Sequence, residues 1–125
     1  WDINESSDLV SKFCEDRNWK QFHNPKDLAI GIVTEASELL DIFRFKSEDD
    51  IKKIFEQNKE KVNDEVADIF TFLLRFCELN DIDLEEVLKE KIEKNNKKYP
   101  VENFSGSNLK AKEYGNKDWN KTLSI

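Results

Sequence analysis

Apolar residues recur at helical spacing through most of the first hundred positions. A first helix is predicted over residues 8–18, with Ser6 or Ser7 as its N-cap. Asn24 followed by Pro25 predicts the start of a second helix, because Asn accepts a backbone N–H at the cap and Pro suits the first helical position. We expect this second helix to end near Arg44.

The middle of the chain predicts one short and one long helix. Ser47, with Asp50 three positions later, resembles a capping box and predicts a short, charged helix that includes residues 51–55. Residues 59–79 form the most apolar segment and predict a central helix. Its apolar positions are Val62, Val66, Ile69, Phe70, Phe72, Leu73, Leu74 and Phe76.

The last predicted helix opens at Asp83, with Glu86 repeating the cap pattern, and is ended by Pro100. With only 3 Gly and 2 Pro among 125 residues, the chain predicts an all-α bundle of four to five helices. We expect the second and central helices to run antiparallel. Residues 1–100 then form one domain, and residues 101–125 form an extended C-terminal tail.

Charge and composition exclude several classes of protein. The net charge of −7 argues against a nucleic-acid binder, which needs an excess of Lys and Arg. No apolar run approaches the roughly 20 residues of a membrane span. Cys14 and Cys77 lie in apolar helical patterns without CxxC spacing, which predicts buried thiols. These features predict a soluble, cytoplasmic protein.

Four carboxylates stand out by their position on the helical wheel. Glu35 and Glu38 are three residues apart on the second helix, as are Glu65 and Asp68 on the central helix. At about 100° per residue, Glu35 and Glu65 fall inside the apolar arcs, whereas Glu38 and Asp68 fall at their borders. The two helices therefore carry the same arrangement.

Carboxylates that point into an apolar interface are costly unless they are paired or bind a metal. Arg75 alone cannot neutralise four of them, and all-oxygen ligands suit Mg²⁺, with Mn²⁺ as a possible substitute. Solvated or salt-bridged carboxylates are the alternative. A di-iron bundle needs two Glu-x-x-His motifs, and His23 is the only histidine. No Gly-rich phosphate loop or nucleophile pair is present.

These motifs resemble those of the MazG-like all-α nucleotide pyrophosphohydrolases and, within them, the dCTP pyrophosphatases. The similarity covers about residues 9–114 and rests on residues 13–25, the two carboxylate pairs and residues 91–100. It implies that four carboxylates are catalytic and bind Mg²⁺, namely Glu35, Glu38, Glu65 and Asp68. It also implies water attack at the α-phosphorus with release of pyrophosphate.

The resemblance also implies a substrate site. It assigns Trp19, His23 and Phe45 to the nucleobase wall, and Phe72 to a substrate position where relatives tend to carry Tyr. It assigns phosphate or sugar contacts to Lys91, Asn95 and Lys98. From the residues alone, these lysines can equally be a solvated basic helix end, favoured by the helix dipole. Trp19 and His23 can equally be packing residues.

The expected function is hydrolysis of dCTP, or a related or modified deoxynucleoside triphosphate, to the monophosphate and pyrophosphate in nucleotide-pool housekeeping. The resemblance implies a homo-oligomer built as a dimer of dimers, without membrane or nucleic-acid partners. Three alternatives remain open: a phosphoribosyl-ATP pyrophosphohydrolase, a nucleotide sensor and a non-catalytic helical interaction module.

Overall fold

The computed structural model describes residues 2–106, and this part of the chain contains helices and no strand. In chain order the elements are α1 (Ile3–Asp16), a 3-10 turn (Lys20–Phe22), α2 (Pro25–Phe43), α3 (Glu48–Gln57), α4 (Lys59–Leu79), α5 (Leu84–Lys98) and the single turn α6 (Val101–Phe104). The prediction of an all-α protein is confirmed.

Three of the predicted helix starts are confirmed by their caps. The side chains of Asn24, Ser47 and Asp83 each accept a hydrogen bond from the backbone N–H three residues later, at 2.8, 3.2 and 3.2 Å. Each bond satisfies one of the N–H groups that have no partner within the helix. The central helix α4 has the bounds that its apolar pattern predicts.

The predicted start of the first helix is wrong. Helix α1 begins at Ile3, and Asp2 is its N-cap, accepting a hydrogen bond from the Glu5 N–H at 2.9 Å. Asp is as good a cap as Ser, so the helix can begin one turn earlier, after Asp2. Ser6 instead lies within the helix, where its hydroxyl donates to the Asp2 carbonyl at 3.3 Å.

The chain divides into two compact units, with the boundary between Ile82 and Asp83. In the first unit, α2 packs against α4. Gly31 lies against Phe72, and four residues later Glu35 lies close to Glu65. As the residue number increases along α2, the number of the α4 residue that it meets decreases. The two helices therefore run antiparallel, as predicted.

A small set of side chains forms the interior of the first unit. Helices α1 and α3 also pack against α4, and the Phe43 and Phe55 rings join α2 to α3 at a centroid distance of 5.3 Å. Both cysteines are free and buried, which confirms that prediction. The buried apolar residues in the described part of the chain are Cys14, Leu28, Val62, Leu74 and Cys77.

The second unit contains α5 and α6 within the described residues. The predicted extended tail begins instead with the helical turn Val101–Phe104, and residues 107–125 of that tail lie outside the described residues. The predicted domain boundary after residue 100 stays a prediction. Within residues 2–106, no helix has the length and apolar character needed to cross a membrane.

Gly31 generates a prediction about the α2–α4 interface. A Cβ at this position would stand 2.5 Å from the Phe72 ring. Gly31→Ala gains up to about 1 kcal/mol of helix propensity, but overpacking costs about 1–3 kcal/mol. We therefore expect a net loss of about 1 kcal/mol in the free energy of unfolding, measured by urea denaturation.

The matched control is the same substitution in a Phe72→Ala background. Without the ring, the added methyl has room, and Gly31→Ala should then leave the free energy of unfolding unchanged or raise it. Equal effects in both backgrounds would show that the ring does not limit this position.

Candidate active site

Three carboxylates from two helices form one cluster. Glu35 and Glu38 lie on α2 and Glu65 lies on α4, and each offers one oxygen to a group whose members all lie within 4.8 Å of one another. The i, i+3 spacing places the two α2 glutamates on one face, and the antiparallel packing brings that face to α4. The cluster therefore results from the contact between these helices.

The burial of each carboxylate agrees with its predicted position on the helical wheel. Glu35 and Glu65 are half-buried, whereas Glu38 and Asp68 are exposed. The Oε2 atoms of Glu35 and Glu65 are buried and have no hydrogen-bond partner within residues 2–106. A buried oxygen without a donor is costly, and a hard divalent cation binds such oxygen ligands. The donor set fits Mg²⁺ or Mn²⁺, while the role as metal ligands stays a prediction.

The cluster shifts the proton affinity of its own members. Burial raises the pKa of Glu35 to about 7, and two effects of Glu38 add to the rise: a hydrogen bond that only a protonated carboxyl can make, and repulsion from its charge. Burial also raises the pKa of Glu65, again with a contribution from Glu38. The negative charge of Asp68 acts in the same direction on both groups. A bound cation would remove this penalty by stabilising the ionised forms.

Asp68 lies outside the three-carboxylate cluster and lines a cavity of about 260 Å³ between α1 and α4. Leu9, Val10, Phe13 and Thr71 form the rest of its lining. Asp68 is thus placed near enough to act on the cluster electrostatically while it faces an open space. Its predicted role as a metal ligand stays a prediction.

A second cavity, of about 110 Å³, brings together three of the predicted substrate residues. Trp19, His23 and Phe72 all line it, although they come from the 3-10 turn region and from α4. Phe13 and Thr71 border both cavities, which are therefore adjacent. This cavity is the candidate nucleobase site of the first unit.

Phe45 is not part of this cavity. Its side chain is 92% exposed, and the Arg44 guanidinium lies 4.7 Å from its ring centroid. Its φ of 61° is in the left-handed region, which is unusual for an aromatic residue and is associated with strain at functional positions. Its predicted nucleobase contact stays a prediction.

The three predicted phosphate or sugar contacts lie in the second unit. Lys91, Asn95 and Lys98 are spaced i, i+4 and i+7 on α5, so they share one face. All three are half-buried, whereas Lys94 and Lys97 on the same helix are exposed. This distinguishes the predicted residues from a uniformly solvated basic end. Their substrate contacts stay a prediction.

Arg75 is the residue that the sequence reasoning did not assign to the substrate site. It is only 2% exposed and lines the nucleobase cavity beside His23. The available signal was its position as the one basic residue between Val62 and Leu79. A single positive charge among these apolar positions indicates a buried polar contact.

The comparison with protein families identifies the fold. The sequence model of the MazG-like family matches residues 30–115, which include both carboxylate pairs. The chain belongs to the MazG-like family. The resemblance predicted from the carboxylate pairs and from residues 91–100 is therefore confirmed.

Curated relatives of this MazG-like chain include two proteins named dCTP pyrophosphatase 1. The Rattus norvegicus protein is 31% identical over 104 residues, which cover 82% of this chain and 61% of the relative. The Homo sapiens protein is 26% identical over 107 residues, covering 84% and 63%. This chain therefore spans less than two thirds of the length of these relatives.

A solved structure supports the MazG-like fold as well. The crystal structure of a pyrophosphatase from Archaeoglobus fulgidus is similar to this chain with a TM-score of 0.74 and 38% sequence identity. The match covers 78% of this chain and 92% of that protein. The similarity thus extends over most of both molecules.

The raised pKa of Glu35 predicts how stability depends on pH without metal. The folded state keeps this proton up to about pH 7, whereas the unfolded chain releases it near the ordinary value of 4.5. The folded state then binds more protons between these values, so the free energy of unfolding falls as pH rises through this window. Thermal unfolding in EDTA at a series of pH values measures the slope.

Glu35→Gln should make this slope shallower, because the substituted side chain no longer titrates. Glu60→Gln, at an exposed position in the first turn of α4, is the matched control and should keep the original slope. The same slope in wild type and Glu35→Gln would contradict the prediction.

Proposed function

We propose that this chain is a nucleoside triphosphate pyrophosphohydrolase that requires Mg²⁺ and acts on dCTP or a related or modified deoxynucleoside triphosphate. The observation that carries the proposal is the pair of buried, unpartnered oxygens of Glu35 and Glu65 within a carboxylate cluster. The relatives named dCTP pyrophosphatase 1 and the pyrophosphatase of similar structure support the reaction class.

The reaction transfers the nucleotidyl group to water. The oxygen of water forms a bond to the α-phosphorus and gives up a proton to the solvent, the bond from this phosphorus to the α–β bridging oxygen breaks, and pyrophosphate leaves. Bound Mg²⁺ would offset the charge on the phosphates and make the attacking water more acidic. Glu35, Glu38 and Glu65 would hold the cation at the place where the phosphates enter.

The arrangement along α4 has the dimensions of a nucleotide. The rise from Glu65 to Arg75 is about 15 Å at 1.5 Å per residue. Asp68 and Thr71 lie between them, at the two adjacent cavities. A nucleotide with its base beside Trp19 would therefore extend its phosphates along α4 toward the carboxylate cluster.

The cavity also distinguishes this proposal from its alternatives. A free nucleotide places its base in a pocket, and Trp19 and Phe72 offer aromatic walls for it. A phosphoribosyl-ATP pyrophosphohydrolase keeps the carboxylates but acts on another substrate. A nucleotide sensor would bind in the presence of Mg²⁺ without releasing product, and an interaction module would do neither.

Hydrolysis of a panel of deoxynucleoside and ribonucleoside triphosphates tests the proposed function. With Mg²⁺ we expect one preferred substrate to give its monophosphate and pyrophosphate, resolved by chromatography, and EDTA to abolish the reaction. Glu35→Gln should lower kcat by at least about 100-fold, because metal-ion catalysis contributes several kcal/mol.

Glu60→Gln is again the control and should leave kcat unchanged, since its side chain is exposed and lies outside the cluster. Failure of the folded wild-type protein on the whole panel with Mg²⁺ and Mn²⁺ would reject the enzyme. Saturable nucleotide binding without product would then favour the sensor.

We further propose that the chain forms a homo-oligomer, built as a dimer of dimers. Helix α2 exposes Ile30 at 52%, Val33 at 68% and Leu40 at 56% of their surface, and α4 exposes Val66 at 51%. A surface this rich in large apolar side chains is typical of subunit contacts. A second copy of the chain is the occupant that the family resemblance favours.

Val33→Asp should dissociate this oligomer, because it introduces an unpaired charge into an apolar contact. Light scattering after size exclusion should then give a mass near 14.8 kDa for the variant and a multiple of it for the wild type. Asn4→Asp, which adds the same charge at an exposed position of α1, should leave the oligomer intact. A monomeric wild type at micromolar concentration would reject the proposal.

A further inference from the structure

Arg75 has a buried, charged side chain, and one of its N–H donor groups makes no hydrogen bond within the described residues. Its Nε donates to His23 Nδ1 at 3.1 Å, and its Nη1 donates to Glu78 Oε2 at 3.2 Å. Its Nη2 is buried and has no hydrogen-bond partner among the residues that the structure describes. Arginine cannot lose its charge, so an unsatisfied buried N–H group is costly. A ligand acceptor in the adjoining cavity would satisfy it.

The cavity beside Arg75 is apolar except for three side chains. Its apolar walls include Phe13, Trp19 and Phe72. Of the polar lining residues, Thr71 already donates its hydroxyl hydrogen to the Ala67 carbonyl at 2.8 Å. Thr71 therefore offers a ligand only an acceptor, whereas Arg75 and His23 can offer donors.

The hydrogen bond between Arg75 and His23 fixes what the histidine can offer. Because His23 Nδ1 accepts from Arg75, the proton of the neutral ring is on Nε2, which is then a donor. Burial and the charge of Arg75 lower the pKa of His23, so the ring is neutral at pH 7. Arg75 and His23 thus both present donors, and the ligand atoms that face them must be acceptors.

The volume limits the size of the ligand group. An apolar cavity of about 150 Å³ is large enough to bind benzene. At about 110 Å³ and only partly enclosed, this space suits a single six-membered ring. A purine, with two fused rings, is too large for it.

We propose that Arg75 is a specificity-determining residue, whose Nη2 donates a hydrogen bond to the C2 carbonyl of a pyrimidine base stacked between the aromatic walls. The inference rests on the proposed function, because it treats the cavity as the nucleobase site. A site built to hydrogen-bond a ligand rejects analogues that lack the partner, since its own polar group is left unpaired.

Binding of monophosphates tests this without requiring hydrolysis. Calorimetric titration of the wild type should give a Kd for dCMP about 10- to 100-fold lower than for an analogue with a phenyl group in place of the base, the range expected for one charged hydrogen bond. It should also favour dCMP over dGMP. Arg75→Met should bring the dCMP and phenyl affinities close together.

Glu78→Gln is the matched control. It removes the charge that faces Arg75 Nη1 but lies outside the cavity lining, so it should keep the preference for dCMP. If both variants lose the preference equally, Arg75 acts only by supporting the fold, and the proposal fails. Equal wild-type binding of dCMP and the phenyl analogue would also overturn it.

A wild-type measurement covers the case in which Arg75→Met does not fold. The chain has three arginines, and Arg17 and Arg44 are exposed, so the guanidinium signals of Arg75 can be recognised by slow hydrogen exchange in ¹⁵N NMR. We expect dCMP to shift these signals and the phenyl analogue to leave them in place. Unshifted signals at saturating dCMP would reject the contact.

The outcomes separate this inference from the proposed function. Selective dCMP binding through Arg75, without hydrolysis of any triphosphate, would support the base contact and reject the enzyme. Hydrolysis with no dependence of base preference on Arg75 would support the enzyme and reject the base contact.

Discussion

Helix α2 packs against α4 where Gly31 meets the Phe72 ring. This contact positions both the carboxylate cluster and the candidate nucleobase cavity. Glycine inside a helix costs roughly 0.5–1 kcal/mol relative to alanine. Here it leaves room for the Phe72 ring, which would lie 2.5 Å from an added Cβ. One turn along α2, the same packing brings Glu35 to Glu65. Phe72 also lines the candidate nucleobase cavity.

This packing brings like charges together in the carboxylate cluster, which destabilises the metal-free fold. Two helices hold like charges within a few ångströms, and burial together with Glu38 raises the pKa of Glu35 to about 7. The apolar contacts of α2 with α4 must offset this repulsion in the metal-free protein. A cation that binds only the folded state would stabilise it in proportion to the logarithm of its concentration. Binding and stability are thus coupled through the same oxygens.

The sequence was sufficient for features that depend on local chemistry. The bounds of α4 and the caps Asn24, Ser47 and Asp83 follow from periodicity and cap residues, and the wheel places Glu35 and Glu65 deeper than their neighbours. It failed at the start of α1, where two cap candidates of similar strength compete. It also missed the hydrogen bond of Arg75, because the partner lies 52 residues away and no periodicity connects them.

The position of Arg75 would allow one helix to bind a cation at one end and a base at the other, as proposed. If this guanidinium paired with the carboxylate cluster, it would neutralise charge that a metal needs. It pairs instead with Glu78, three residues further along α4 and so farther from Glu65. It also pairs with the neutral ring of His23. The oxygens of Glu35 and Glu65 stay without donors as a result, and the remaining N–H group of Arg75 stays without an acceptor. The carboxylate end of α4 lacks a positive partner, and the Arg75 end lacks an acceptor. These two positions lie about 15 Å apart along α4. A nucleotide with a bound divalent cation would supply the cation to the carboxylates and an acceptor on its base to Arg75.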